Sequence, residues 1–147
     1  MFIPANFELH ELLPPDFYNQ SKDLGARRWY MFDPQMLWTL NQLRKKYGRI
    51  LMNTWMWGGT NKFRGWRPWD CETGATLSQH KFGRACDMVF LDLVDGVNWV
   101  RDSILTDTDD PIFKYITCVE TGVPWLHIDF RNWNKEQDGI LVIKRDN

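Results

Sequence analysis

The fold is decided by residues 78–87, which read SQHKFGRACD. This stretch holds a histidine, His80, and a carboxylate, Asp87, seven positions apart. On a continuous helix their Cα atoms would be separated by roughly 10 Å of rise, and on one extended strand by about 23 Å. Neither separation lets both side chains reach one ion, whose ligand bonds are about 2 Å long. The chain must therefore turn between them, and Gly83 is the residue that turns most easily.

A second segment, WLHIDF at residues 125–130, alternates along its length. Because successive side chains of a strand point to opposite faces, Trp125, His127 and Asp129 share one face and the apolar three form the core face. The chain has only three histidines, and two of them lie in these two segments. Two histidines and a carboxylate are a common ligand set for a catalytic zinc that keeps one position open for water. The two segments together therefore form a candidate metal-ligand set.

The segment that precedes this strand indicates its partner. If residues 113–120 and 125–130 form a hairpin, Glu120 faces Trp125 and lies diagonal to His127, roughly 7–8 Å away at Cα. That position suits a carboxylate that accepts a proton from a water on the metal. A slip of one residue in this register would turn Glu120 into the core.

The remaining pattern predicts an α+β domain. Asp33 is a good N-cap, Pro34 suits the first helical position and Gly48 suits the residue after the end, so a helix is expected between them. Further elements are expected as strands at residues 50–55, 85–91, 113–120, 125–130 and 140–144, a helix from Asp95 to about Leu105, and a long loop at residues 57–77. Their order favours a mostly antiparallel sheet with helices packed on one side.

Composition narrows the classes of function. With 147 residues, 44% of them hydrophobic, we expect residues 1–147 to form a single domain with a sizeable core. A formal net charge of -1 does not favour nucleic acid or an anionic membrane as partner. Residues 1–6 do not resemble a signal peptide, and three widely spaced cysteines favour synthesis in a reducing compartment over a disulfide framework.

The two segments carry a recognisable pattern, S-x-H-x-x-G-x-A-x-D from Ser78 to Asp87 followed by W-x-H from Trp125 to His127. This pattern resembles the zinc-dependent D-Ala-D-Ala carboxypeptidase family, which includes bacteriophage endolysin peptidases and shares its fold with the Hedgehog signalling domain. The resemblance covers roughly residues 50–130. It implies a Hedgehog/DD-peptidase-like fold.

The resemblance also implies roles for individual residues. His80, Asp87 and His127 would bind Zn²⁺, and an acidic residue before the second histidine would be the catalytic base. In several members that acid lies three positions before the histidine, where this chain has Pro124. Members with a longer gap place a Glu at the end of the preceding strand, which matches Glu120.

An arginine upstream of the first motif holds the substrate carboxylate or carbonyl in the family. Residues 65–68, GWRP, resemble its local pattern, so Arg67 is expected in this role, with Arg64 as the rival. Ser78 is expected to support the site by hydrogen bonding rather than to act as a nucleophile.

Several residues keep alternative interpretations. Asp129 is a candidate base, a partner of a metal-bound histidine, or a solvated strand residue. In the assumed hairpin Cys118 faces His127, where it is a soft ligand or, as we expect, a buried thiol. Cys86 should point into the core, and His10 has no evident partner.

These observations predict a zinc metallopeptidase that hydrolyses a peptide bond in peptidoglycan stem or cross-link peptides. The alternative is a non-catalytic zinc-containing binding protein or phage structural protein on the same fold; a third possibility is a zinc hydrolase acting on other amides. We expect a monomer with no nucleic-acid or membrane partner that is synthesised in the cytoplasm. It is then either released to the cell wall at phage lysis or a plain cytoplasmic protein. Carboxypeptidase and endopeptidase specificities share these ligands, so the bond cleaved stays open.

Overall fold

The computed structural model describes residues 1–107 and 109–145. Its helices are α1 (Pro15–Gln20), α2 (Pro34–Tyr47), α3 (Gly96–Thr106) and α4 (Lys135–Asp138). Its strands are β1 (Ile50–Leu51), β2 (Ala85–Phe90), β3 (Cys118–Thr121), β4 (Leu126–Asp129) and β5 (Leu141–Lys144). Short 3₁₀ segments at Leu9–Glu11, Lys22–Met31, Trp55–Trp57, Gln79–Phe82 and Pro111–Phe113 connect them. The predicted α+β class is confirmed.

The strands form one mixed sheet in the order β1-β2-β4-β3-β5. The pairs β1–β2, β2–β4 and β3–β4 are antiparallel, whereas β3 and β5 are parallel. After β4 the chain forms α4 and returns beside β3, which gives the parallel pair. The prediction of a mostly antiparallel sheet therefore holds for three of the four pairings.

Helix α2 begins and ends where the sequence predicts. The Asp33 carboxylate accepts hydrogen bonds from the backbone N–H groups of Gln35 and Met36, which have no partner inside the first helical turn. Gly48 follows the last residue with a positive φ of 83°. The apolar stripe of this helix is buried, at Met36, Leu40, Leu43 and Tyr47.

The hydrophobic core lies on one face of the sheet. Strand residues of β2, β3 and β4 join residues of α2 and α3 in a single cluster, which includes Cys86, Met88, Val119, Leu126, Ile128, Leu37, Leu40, Val100 and Ile104. Cys86 is fully buried there, as expected. Burial of one face leaves the opposite face of the central strands for polar side chains.

The predicted strand at residues 50–55 is correct only for its first two residues. After Leu51 the backbone leaves the sheet: Asn53 N–H donates to the Glu11 carbonyl and Thr54 N–H donates to the Asn61 carbonyl. These contacts anchor the start of the long loop to the N-terminal segment.

The predicted strand at residues 113–120 also begins later, at Cys118. Pro111–Phe113 forms a 3₁₀ turn instead, because the Asp110 carboxylate caps the Ile112 N–H.

Helix α3 confirms the prediction of a helix after Asp95 and extends it to Thr106. Within the described residues, no helix combines the length and apolar character required to cross a bilayer.

Candidate metal centre

The structure brings the three predicted ligands together. One potential ligand atom each from His80, Asp87 and His127 lies within 4.8 Å of the other two. The distance from His80 Nε2 to Asp87 Oδ2 is 3.3 Å, and that from His127 Nδ1 to Asp87 Oδ1 is 2.7 Å. Such a group can hold a metal ion, since imidazole nitrogen and carboxylate oxygen are both zinc ligands.

His80 lies on the 3₁₀ turn Gln79–Phe82 and is almost fully buried. Its Nδ1 lies 2.7 Å from the Gly65 carbonyl oxygen, which can only accept, so Nδ1 carries the hydrogen. Burial lowers the pKa of His80 and outweighs the attraction of Asp87. The neutral ring therefore directs an unprotonated Nε2 toward the site.

The Nε2 atom of His80 tests whether these residues fit a metal. It is buried and makes no hydrogen bond within the described structure. Its nearest charged neighbour is a carboxylate oxygen of Asp87, so two electron-rich atoms face each other at 3.3 Å. A bound cation would satisfy both atoms at once, and the donor set therefore fits a metal ion.

The turn that joins His80 to Asp87 depends on Gly83. Its φ of 68° lies in the left-handed region that favours glycine. A Cβ at this position would lie 1.8 Å from the Met31 carbonyl oxygen. The predicted turn is confirmed, and close packing is a second reason for glycine.

His127 lies between two carboxylates. Its Nδ1 faces Asp87, and its Nε2 lies 3.2 Å from Asp129 Oδ2. Burial would lower the pKa of His127, but the hydrogen bonds with Asp129 and Asp87 outweigh it and raise the pKa to about 9. Metal binding by Nδ1 would therefore displace a proton.

Asp129 is a fully buried partner of His127 and not a solvated strand residue. Burial would raise its pKa, but hydrogen bonds from Arg131 and His127 hold the pKa below its usual range. Arg131 Nε and Nη2 donate to the two carboxylate oxygens at 2.8 and 2.5 Å. Carboxylates that orient a metal-binding histidine are typical of zinc sites.

Arg67 contacts the metal ligand group directly. Its Nη2 donates to Asp87 Oδ2 at 3.0 Å, while its Nε and Nη1 donate to the carbonyls of Phe63 and Thr73 at 2.7 and 3.3 Å. The predicted arginine therefore lies in the site. Its donors are engaged with the protein, and its predicted contact with substrate stays a prediction.

The assumed register of the β3–β4 hairpin was wrong by two residues. Glu120 lies directly opposite His127, and Cys118 lies opposite Asp129. Thr121 continues the strand, so the turn between β3 and β4 spans residues 122–125. A shift of two keeps every side chain on its predicted face, and Glu120 comes closer to His127 than expected.

Register places three candidate site residues in one row across the sheet. Asp87 of β2 is opposite His127 of β4, which is opposite Glu120 of β3. The Glu120 carboxylate lies 3.2 Å from Arg145 Nε. The candidate base therefore shares a face with two candidate ligands.

These side chains line a cavity of about 430 Å³. Further lining residues are Ser78, Trp125, Arg131, Ile143 and Arg145. Ser78 uses its backbone here, since its carbonyl accepts from the Lys81 N–H and its N–H donates to the Ala75 carbonyl. Among the described residues, the Ser78 hydroxyl makes no hydrogen bond, so the predicted support of the site by this group is not observed.

Of two other candidates, Cys118 lies beside Asp129 on the face of the ligand group, and His10 lies away from it. Cys118 is fully buried, and burial raises its pKa to about 12, which fits the expected buried thiol. His10 packs against the rings of Tyr18, Trp55 and Trp57. The sequence did give a signal for one overlooked residue, Arg131, which follows Asp129 at the spacing that shares a strand face.

Comparison with family models, curated proteins and solved structures found no match to this chain.

Proposed function

We propose that this protein is a zinc-dependent peptidase with a Hedgehog/DD-peptidase-like fold. The observation that carries the proposal is the row of Asp87, His127 and Glu120 across three adjacent strands, with the unpartnered Nε2 of His80 beside it. A hydrolytic zinc site requires at least metal ligands and a general base in one cavity.

Each side chain has a role in hydrolysis. Bound by His80, Asp87 and His127, a zinc ion would polarise the scissile carbonyl and lower the pKa of a coordinated water to about 7. Glu120 accepts one proton as the water oxygen bonds to the carbonyl carbon, and it delivers that proton to the nitrogen as the C–N bond breaks. Asp129 holds His127, and Arg67 holds Asp87.

The resemblance of the two motifs supports peptidoglycan stem or cross-link peptides as the substrate. We further propose that it is a phage enzyme that acts as a monomer, is made in the cytoplasm and reaches the cell wall at lysis. These parts of the proposal rest on the sequence pattern, whereas the hydrolytic chemistry rests on the geometry of the cavity.

One contact favours the alternative, a non-catalytic zinc protein. Arg145 lies 3.2 Å from Glu120, and an ion pair there competes with the use of Glu120 as a base. A protein that binds zinc and wall peptides without turnover would tolerate this contact. The two functions differ in whether peptides are released from purified murein.

The test combines a metal assay with digestion of murein. Elemental analysis of the purified protein should find about one zinc ion per chain, as one group of three protein ligands predicts. Mass spectrometry of digested murein should show new peptide ends. In the variant Glu120→Gln the rate should fall by roughly 10²–10⁴-fold with zinc content unchanged, since a general base contributes that much.

Glu136→Gln is the matched control, because Glu136 is exposed on α4, outside the residues that line the cavity. Its rate should equal that of the wild type. A wild type that binds no zinc contradicts the proposal, and so does full activity in Glu120→Gln. A wild type that binds zinc but releases no peptide supports the alternative.

A further inference from the structure

The cavity at the metal centre is one half of a longer cleft. A second cavity of about 350 Å³ shares Arg67 and Asp87 with the first, so the two are continuous past the ligand group. Arg64, the rival to Arg67 in the sequence pattern, lines only the second cavity. Leu77 and Gln79 line only the first, and Leu77 is 67% exposed, so this part of the wall is also its rim.

Two exposed aromatic side chains, Trp69 and Phe82, lie beside this rim. Trp69 is 62% exposed and Phe82 is 43% exposed, and their rings meet edge to face with centroids 5.2 Å apart. An edge-to-face pair covers less ring surface than a parallel stack, so ring surface stays open to solvent. These two residues are called the aromatic platform.

The backbone joins the aromatic platform to the metal centre. Phe82 is two residues beyond His80 on the same 3₁₀ turn. Trp69 is two residues beyond Arg67. The Arg67 N–H donates to the His80 carbonyl at 3.3 Å, and Lys81 Nζ donates to the Trp69 carbonyl at 3.0 Å. The same two segments therefore carry the platform and two residues of the metal centre.

Two cations, Lys81 and Arg84, border the aromatic platform. Lys81 Nζ lies 5.9 Å from the centre of the Trp69 ring. The guanidinium carbon of Arg84 lies 5.1 Å from the centre of the Phe82 ring. Arg84 Nε donates to Gln79 Oε1 at 2.6 Å, which connects the platform to the cavity wall.

These two cations have donors to spare. Within residues 1–107 and 109–145, neither Lys81 nor Arg84 has a carboxylate oxygen within 4.0 Å. An ammonium has three N–H donors and a guanidinium has five, so both side chains keep donors for a ligand. Open ring surface and unused donors therefore lie together at the rim of the cavity.

We propose that the aromatic platform binds the glycan strand of the cell wall while the attached stem peptide occupies the cavity. A pyranose ring has an apolar face of C–H groups that packs on an aromatic ring. Its hydroxyl and acetamido oxygens accept hydrogen bonds, which Lys81 and Arg84 can donate. The inference rests on the proposed peptidase function and makes it more specific, because it names a part of the substrate outside the cleaved peptide.

The covalent structure of that substrate supports this occupant. A stem peptide is attached by its N-terminus to an N-acetylated sugar, so one to four extended residues place the sugar roughly 3–14 Å from the scissile bond. The Cα atoms of Trp69 and Phe82 lie at most about 7 Å from those of Arg67 and His80, since two residues separate them. The platform is therefore within reach of the sugar.

The first test uses a glycan that carries no peptide. Chitotetraose, a chain of four N-acetylglucosamine units, is titrated into the protein with zinc added, and calorimetry gives the dissociation constant. Trp69→Ala should weaken binding by about 3- to 10-fold, since an aromatic contact contributes roughly that factor. Trp69→Phe keeps a ring and should retain most of the affinity.

Trp99→Ala is the matched control for Trp69→Ala. Trp99 is 54% exposed and also meets another ring edge to face, that of Tyr47 at 5.6 Å. It lies on α3 and lines neither cavity. The Trp99→Ala variant should bind chitotetraose as the wild type does.

The second test compares two forms of one substrate. Cross-linked muropeptides that keep their disaccharides are compared with the same peptides after an amidase has removed the sugars. Wild type should cleave the sugar-bearing form with a kcat/KM about 3- to 10-fold higher, through a lower KM. Trp69→Ala should remove this difference and leave the rate on the sugar-free form unchanged, which general damage to the fold would not do.

Four results would overturn the inference. The wild type binds no chitotetraose, or Trp69→Ala binds it as tightly as the wild type. The wild type cleaves both substrate forms with equal kcat/KM. A single-stranded oligonucleotide binds at Trp69 more tightly than chitotetraose, in which case the rings and cations serve a nucleic acid.

Binding and turnover separate this inference from the proposed function. Trp69-dependent binding of chitotetraose by a protein that cleaves no murein retains the glycan site and rejects the peptidase. Cleavage of murein by a protein that binds no chitotetraose retains the peptidase and rejects the glycan site.

Discussion

His80 and His127 would bind the same ion, yet they lie in opposite surroundings. His80 is on a short 3₁₀ turn, where a backbone carbonyl fixes its ring and burial lowers its pKa. His127 is on strand β4 between Asp87 and Asp129, and its pKa is raised to about 9. Backbone packing therefore orients His80, whereas charged side chains hold His127.

The site therefore has two halves, one around His80 and one around His127, and each is sensitive to a different kind of substitution. The His80 half depends on the path of the chain through Gly83, so it responds to changes of shape. The His127 half depends on carboxylates, so it responds to changes of charge and pH.

Removal of either histidine should weaken zinc binding to a similar extent. His80→Ala and His127→Ala should each lower zinc affinity by more than about 100-fold, since loss of an outer partner alone costs 10–100-fold. Competition with a fluorescent chelator measures the affinity. His10→Ala is the control, because His10 packs among aromatic rings away from the ligand group. A ligand variant with wild-type affinity would exclude that residue from the site.

A change of shape should damage the His80 half. Gly83→Ala would combine a positive φ with a clash against the Met31 carbonyl, so the free energy of unfolding should fall by about 3 kcal/mol. Urea denaturation measures it. Gly58→Ala is the control: its backbone is also left-handed, with a φ of +82°, but a Cβ there meets no atom within 4 Å, and about 1 kcal/mol is expected. Equal losses in the two variants would contradict the packing argument.

A change of charge should damage the His127 half. Asp129→Asn weakens the hold on His127 Nε2, so zinc affinity should fall by about 10–100-fold. Asp102→Asn is the control, because Asp102 is exposed on α3. If Asp129→Asn instead keeps zinc and abolishes peptide cleavage, Asp129 is the base and Glu120 is not.

Zinc affinity should depend on pH through His127. Below about pH 9 both ring nitrogens of His127 carry a proton in the metal-free protein, and zinc must displace the proton on Nδ1. Apparent affinity should therefore rise with pH, by up to about tenfold per unit between pH 6 and 9. His80 should add nothing over that range because its pKa is lowered. An affinity that is flat across this range would contradict the charge argument.

Local signals allowed much of the site to be predicted. Helix α2 is defined by its capping residues, Asp33 and Gly48, and these act within one turn of the chain. The shared face of His127 and Glu120 follows from strand alternation, which a shift of two residues leaves unchanged. The turn at Gly83 follows from geometry alone.

Contacts distant in sequence decided what could not be predicted. β1 ends early because Asn53 and Thr54 bond to residues in other segments, and a run of β-formers does not show this. The parallel pairing of β5 with β3 depends on the path through α4.

The Gly65 carbonyl bears on whether the protein can fold before it binds a metal. It selects the tautomer of His80, and Gly65 is itself held in place, since a Cβ there would lie 2.3 Å from the Leu12 oxygen. Trp66 N–H donates to that same oxygen at 2.8 Å. These contacts are all made by the protein chain itself. We therefore expect the metal-free protein to fold with His80 already oriented, and zinc to add further stability when it binds.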